Sequence, residues 1–250
     1  MPVRNAAASD LGDALSAYGG APAVEVVVTR LDVGSDALRT SAALLSPEER
    51  HRASCFAFDR DRRRFTVARA RLRQLLAARL DVCSDAVELV YGDSGKPALA
   101  RRVAGSDLRF SVSHCDDVAA YAFSLGREIG IDVEAVRLIP DADDIAARMF
   151  SRRESAAYRA LDASAKPVAF FTCWTRKEAF VKALGEGLSY PLDRFEVSFE
   201  PGDEPARILR VDGTPGDRCG WTLHSFVPGP GLIGAVVVQQ AAREFEPALT

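Results

Sequence analysis

Short β-branched runs and longer stretches with helical spacing alternate along the chain. Val24 to Arg30 (VEVVVTR) opens the series as a strand. Ser46-Pro47-Glu48-Glu49 then carries a helix start: serine as N-cap, proline at the first helical position and glutamate at the third. Beyond Asp59, Phe65, Ala68, Leu72, Leu75 and Leu76 recur at helical spacing. The opposite face of that helix carries Arg60, Arg62, Arg63, Arg69 and Arg73. Strands are expected over Val87 to Tyr91, Leu108 to Ser113 and Ala119 to Ser124, with a turn at Gly92-Asp93-Ser94-Gly95 leading into Lys96-Pro97.

Gly126-Arg127-Glu128 reads as a junction. After it come a strand from Ile129 to Glu134 and a helix from Ala142 to Phe150. Ser151 to Glu154 repeats the capping pattern. Pro167 to Leu184 is the clearest helix, and Gly185 is its natural stop. Further strands are expected near Phe195 to Phe199, Ile208 to Val211, Trp221 to Phe226 and Leu232 to Val238. The chain is therefore α+β, with halves 1–126 and 127–250 that each combine helices with a mostly antiparallel sheet.

Composition narrows the class. The 250 residues suffice for a real core, and 48% hydrophobic with 27% charged residues is a globular balance. A net charge of −3 gives no general attraction to nucleic acid, and no apolar run is long enough to span a membrane. Residues 1–20 lack the charged start and apolar stretch of a signal peptide and read as a loose lead-in. Cys55, Cys83, Cys115, Cys173 and Cys219 are scattered, which fits reduced thiols in the cytoplasm rather than a disulfide framework or a zinc site.

Two segments carry chemistry. In Gly130-Ile131-Asp132-Val133-Glu134, strand alternation aims Asp132 and Glu134 at one face and Ile131 and Val133 at the core. Adjacent like charges repel, and a divalent cation such as Mg²⁺ removes that cost; an exposed polar strand face is the other reading. In Trp174 to Lys182, Glu178 and Lys182 stand one turn apart on one helix face, with Trp174 one turn before them. A surface ion pair is the simpler reading there, but Gly185 and Gly187 just beyond suit close approach of a ligand. Ser113 and His114 offer a hydroxyl and an imidazole to a phosphate. Lys96 alone is a surface lysine, and most of the arginines near Arg52 and Arg64 read as a solvated face. Walker and GxGxxG loops are missing from the sequence, so a common nucleotide fold is not indicated.

Taken in order, four segments resemble the Sfp-type 4′-phosphopantetheinyl transferases: Gly95-Lys96-Pro97, Phe110-Ser111-Val112-Ser113-His114, Gly130 to Glu134, and Trp174-x-x-Lys177-Glu178-Ala179-x-x-Lys182-x-x-Gly185-x-Gly187-Leu188. The resemblance implies two similar α/β halves related by a pseudo-twofold, with coenzyme A in the cleft between them. It implies Mg²⁺ on Asp132, Glu134 and Glu178, and Glu178 and Lys182 as catalytic groups. Arg52, Arg64, Lys96, Pro97, Ser113, His114, Asp132, Lys177 and Lys182 then fall among the coenzyme A contacts. Glu49 departs from the pattern, standing where some members have lysine. The implied reaction moves phosphopantetheine from coenzyme A to a serine of an acyl or peptidyl carrier protein, as in polyketide or nonribosomal peptide synthesis. Glu178, directly or through a water, or a Mg²⁺-bound water would take the serine proton. The chain is expected to be a cytoplasmic monomer with the carrier docking near Gly185 to Pro191, steered by Arg152, Arg153 and Arg176. The alternatives are a Mg²⁺-dependent nucleotide phosphohydrolase and a non-catalytic module that binds coenzyme A or a carrier.

Overall fold

The computed structural model describes residues 14–18, 24–92, 95–100, 107–185 and 190–241. The first half contains β1 (Ala14–Tyr18), β2 (Val24–Arg30), α1 (Ser35–Ala43), α2 (Pro47–Ser54), α3 (Asp59–Leu80), β3 (Leu89–Tyr91), β4 (Pro97–Leu99), β5 (Leu108–Cys115) and β6 (Val118–Leu125). The second contains β7 (Ile129–Ala135), α4 (Ala142–Met149), α5 (Arg152–Ala160), α6 (Lys166–Leu184), β8 (Phe195–Val197), β9 (Ile208–Val211), β10 (Thr214–Pro215), β11 (Trp221–Phe226) and β12 (Leu232–Gln239). The antiparallel sheets run β1-β2-β6-β5 and β11-β12-β7, with smaller sheets β10-β9-β8 and β3-β4.

Alternation along the central strands explains how the layers assemble. Val24, Val26 and Val28 of β2, Val118, Ala120 and Ala122 of β6, Ile129, Ile131 and Val133 of β7, and Val236 and Val238 of β12 share one core. The two main sheets therefore face each other across that core. The opposite faces are covered by helices: Val27, Tyr121 and Phe123 meet Leu72 and Leu76 of α3, while Ala235 and Val237 meet Phe180 and Ala183 of α6. A strand buried on both faces needs no polar alternation, which is why β2 reads as VEVVV.

Both capping boxes form. Ser46 and Ser151 each accept from the N3 amide, and Glu49 and Glu154 each reach back to the cap amide. The lead-in is not wholly loose, because β1 pairs along β2. Helix α1 carries no pattern singled out above, and all nine of its residues lie at least partly exposed. The arginine face of α3 is not uniformly solvated either. Arg73 is buried, pairing with Glu49 at 2.6 Å and donating to the carbonyls of Ser84 and Val87.

Two features join β5 and β7 to their neighbours. Ser111 and Ser113 of β5 accept from the backbone N–H groups of Ile131 and Val133, so serine hydroxyls bridge the edges of the two sheets. Gly130 has no room for a Cβ, because the backbone of α6 at Ala179, Lys182 and Ala183 lies directly over it. A glycine there lets helix and strand touch main chain to main chain.

Candidate active site

A cleft of about 750 Å³ opens between the halves. Arg52, Phe65 and Arg69 line its first-half wall, Lys96, Ser113 and His114 its floor, and Asp132, Glu134, Trp174, Glu178 and Lys182 its second-half wall. Strand alternation turns Gly130, Asp132 and Glu134 toward α6, and helical spacing turns Trp174, Glu178 and Lys182 toward β7. Gly185, with φ +79°, caps the helix in the left-handed conformation just past Lys182.

The centre of the site is a charged knot. Lys182 Nζ donates to Asp132 Oδ1 at 2.6 Å and to Ser113 Oγ at 3.0 Å, while Ser113 Oγ donates to the same Asp132 oxygen at 2.8 Å. Asp132 is only 4% exposed, so the alternative of a polar strand face in water does not hold. Among the described residues, its Oδ2 and Glu178 Oε1 are buried without hydrogen-bond partners. Burial and then the nearby Asp132 push the carboxyl pKa values of both Glu134 and Glu178 above the ordinary value. Glu134 also meets Arg137 at 3.4 Å and Cys115 at 3.7 Å.

These carboxylates fit a hard divalent cation: Asp132 Oδ2 and Glu178 Oε1 are buried and unpartnered among the described residues, and Asp132 repels both Glu134 and Glu178. They are not preassembled into a metal cluster, however, since no group of three such ligands closes up among the described residues. Asp132 is held by Lys182 instead, and Glu134 by Arg137.

The first-half wall is cationic and aromatic. The guanidinium groups of Arg52 and Arg69 each lie over both Phe65 and Tyr91, at 5.6 to 5.7 Å from the ring centroids. Arg69 Nη1 is buried without a hydrogen-bond partner among the described residues. Glu49 lies 3.8 Å from Arg69 and holds it from behind, which gives the departing glutamate a structural role. In the sequence Arg69 stands out only as part of a basic face; its spacing of about one turn from Phe65 is the signal that the two share a side. His114 stands at the cleft, and partial desolvation together with Lys182 and Arg69 lowers its imidazole pKa. It belongs to β5, which runs on to Cys115 rather than ending in a loop.

Three expected positions need correction. Lys177 points away from the cleft and is wholly buried, bonding Glu154 and the carbonyls of Leu192 and Phe195. Successive helix residues differ by about 100° in direction, so Lys177 cannot share the face of Glu178. Arg64 is spent on a bidentate pair with Asp32, at 2.8 Å for both bonds, and does not line the cleft. Arg176 is buried too, held by Ser198, Ser225 and Glu204, and cannot steer a partner from the surface. Arg152 and Arg153 are exposed. Gly187 and most of the expected docking loop lie outside the described residues.

Comparison with known proteins assigns the arrangement. Residues 128–235 match the family model "4′-phosphopantetheinyl transferase superfamily", and residues 34–125 match "4′-phosphopantetheinyl transferase, N-terminal". The 4′-phosphopantetheinyl transferase HetI of Nostoc is 38% identical over 208 residues, covering 83% of this chain and 84% of HetI. The chain belongs to the 4′-phosphopantetheinyl transferase superfamily. Among its relatives, 4′-phosphopantetheinyl transferase Sfp of Bacillus subtilis is 30% identical, covering 62% of this chain and 66% of Sfp. The human L-aminoadipate-semialdehyde dehydrogenase-phosphopantetheinyl transferase is also 30% identical, covering 63% of this chain and 53% of its own length. Both segments of this phosphopantetheinyl transferase that frame the cleft, β5 and β7 with α6, fall within the matched regions.

Proposed function

We propose that the chain transfers the 4′-phosphopantetheine arm of coenzyme A to a serine of an apo carrier protein, releasing adenosine 3′,5′-bisphosphate. Family membership supports the reaction class. The observation that carries the reading at the site is the convergence of Asp132, Glu178 and Lys182 on one wall of a cleft whose other wall is cationic. The same reading takes the two halves as a pseudo-twofold pair, each with a long helix over an antiparallel sheet, and coenzyme A between them.

The serine oxygen would form a bond to the phosphorus that bears pantetheine, and the bond from that phosphorus to the bridging oxygen would break. Lys182 neutralises charge on the pyrophosphate and is aimed by Ser113 and Asp132. Glu178 takes the serine proton; its raised pKa makes it a better proton acceptor than an ordinary carboxylate. Arg52, Arg69 and His114 supply cationic and donor groups for the remaining phosphates. Asp132, Glu134 and Glu178 would hold Mg²⁺, which when bound supplies further charge neutralisation at the pyrophosphate.

Acyl and peptidyl carrier domains of polyketide or nonribosomal peptide synthesis are the proposed acceptors, and a cytoplasmic monomer the proposed state. The free cysteines suit a reducing compartment. Among the described residues no helix is long and apolar enough to cross a membrane. The test is incubation with coenzyme A, Mg²⁺ and apo carrier protein, followed by intact-mass measurement. A phosphopantetheine adduct on the carrier supports the reading. Coenzyme A cleavage without an adduct would favour a phosphohydrolase, and no change would favour a binding module.

A further inference from the structure

Lys96, a first-half side chain, bonds the backbones of both elements of the catalytic wall. It enters from the β3–β4 hairpin, just after Gly95. Its Nζ donates to the carbonyl of Ile129, the first residue of β7, at 3.1 Å. It also donates to the carbonyl of Lys182, in the last turn of α6, at 2.5 Å. Carbonyls in the last turn of a helix lack an intrahelical donor, so an ammonium there both satisfies the group and opposes the helix dipole. An ammonium has three N–H groups, and two are committed to these carbonyls.

The bridge lies beside a close main-chain contact. Gly130, next to Ile129, brings the backbone of β7 against that of α6 at Ala179, Lys182 and Ala183. Asp132 lies two residues further along the strand, and Glu178 and Lys182 lie on the helix turns above it. We propose that Lys96 is a positioning residue: its ammonium pins the last turn of α6 to the start of β7 and so sets Lys182 and Glu178 over Asp132. This is a different role from contacting coenzyme A phosphates, and it rests on the transferase reading of the cleft.

The two roles separate in kinetics. A phosphate ligand acts in ground and transition states alike, so its loss raises KM. A clamp acts through Lys182 and Glu178, so its loss lowers kcat. Lys96→Met keeps the stem and removes the donors. Its kcat for carrier modification should fall about 10- to 100-fold, the scale of a misplacement near 1 Å, and KM for coenzyme A should change less than about threefold, within the scatter of a contact not lost. Dephospho-coenzyme A should show the same kcat loss. Amide exchange followed by mass spectrometry should quicken in peptides spanning 129–133 and 179–185 and stay unchanged in α3. A KM rise equal to or larger than the kcat loss, or unchanged exchange in both peptides, overturns the proposal. If Lys96→Met does not fold, Lys96→Gln, which keeps an N–H donor, takes the same measurements. If the wild-type chain modifies no carrier, the transferase reading fails, and the exchange measurement alone decides the clamp.

Discussion

Replacing Gly130 by alanine tests how closely the site depends on one backbone contact. A Cβ at this position would sit 2.0 Å from the carbonyl oxygen of Ala179 and 2.3 Å from the amide nitrogen of Ala183. Ordinary non-bonded contacts lie near 3.5 Å, so α6 must retreat from β7 by roughly 1 Å or more. Both obstructing atoms are main chain, so no side-chain rotation relieves the clash. Overpacking of this kind costs about 1–3 kcal/mol, occasionally more. For a chain of this size that is a fall in Tm of roughly 2–4 °C per kcal/mol. The functional effect should be larger. Glu178 and Lys182 directly precede Ala179 and Ala183 in sequence, so the retreat carries both groups away from Asp132. A displacement near 1 Å is worth about 10²-fold in rate. Urea unfolding and the kcat for holo-carrier formation measure the two effects. Gly229→Ala is the matched control, because its Cβ would meet nothing nearer than 3.5 Å. A Gly130→Ala protein with wild-type stability and rate would refute the argument.

Three more outcomes follow from the geometry. Lys177→Met should destabilise the fold by about 3–5 kcal/mol, because it strands Glu154 as a buried unpaired charge; a coenzyme A KM defect in a protein of normal stability would instead return Lys177 to the cleft. Asp132→Asn should remain folded but lose turnover, and should lose the rise in Tm that Mg²⁺ with coenzyme A gives the wild type; an unchanged rise would move the cation elsewhere. His114 has a lowered pKa and is therefore neutral at pH 7 in the free protein, whereas a bound phosphate favours the imidazolium. Coenzyme A binding should take up a proton and weaken as pH rises within about pH 5–8. Calorimetry in buffers of different ionisation enthalpy would detect this, and the uptake should vanish in His114→Gln; equal uptake in that variant would exclude His114 as its source.

Sequence and tertiary structure contributed different things. Strand and helix periodicity, the two capping boxes and the Gly185 stop were legible because they are local: each rests on residues within a few positions of one another. The same locality put Asp132 and Glu134 on one strand face and Glu178 and Lys182 on one helix face. The separation of Lys177 from Glu178 was also implicit in helical geometry, but motif order obscured it. Partnership across distant segments was not local. Asp32 claims Arg64, Glu49 backs Arg69 and Arg73, and Glu154 takes Lys177. These buried or half-buried cations settle where a carboxylate, in some cases with carbonyls, offsets their desolvation, and that depends on which elements the core brings together. A lysine or arginine in a motif therefore shows its charge in the sequence, while its partner, and hence its work, is decided by packing.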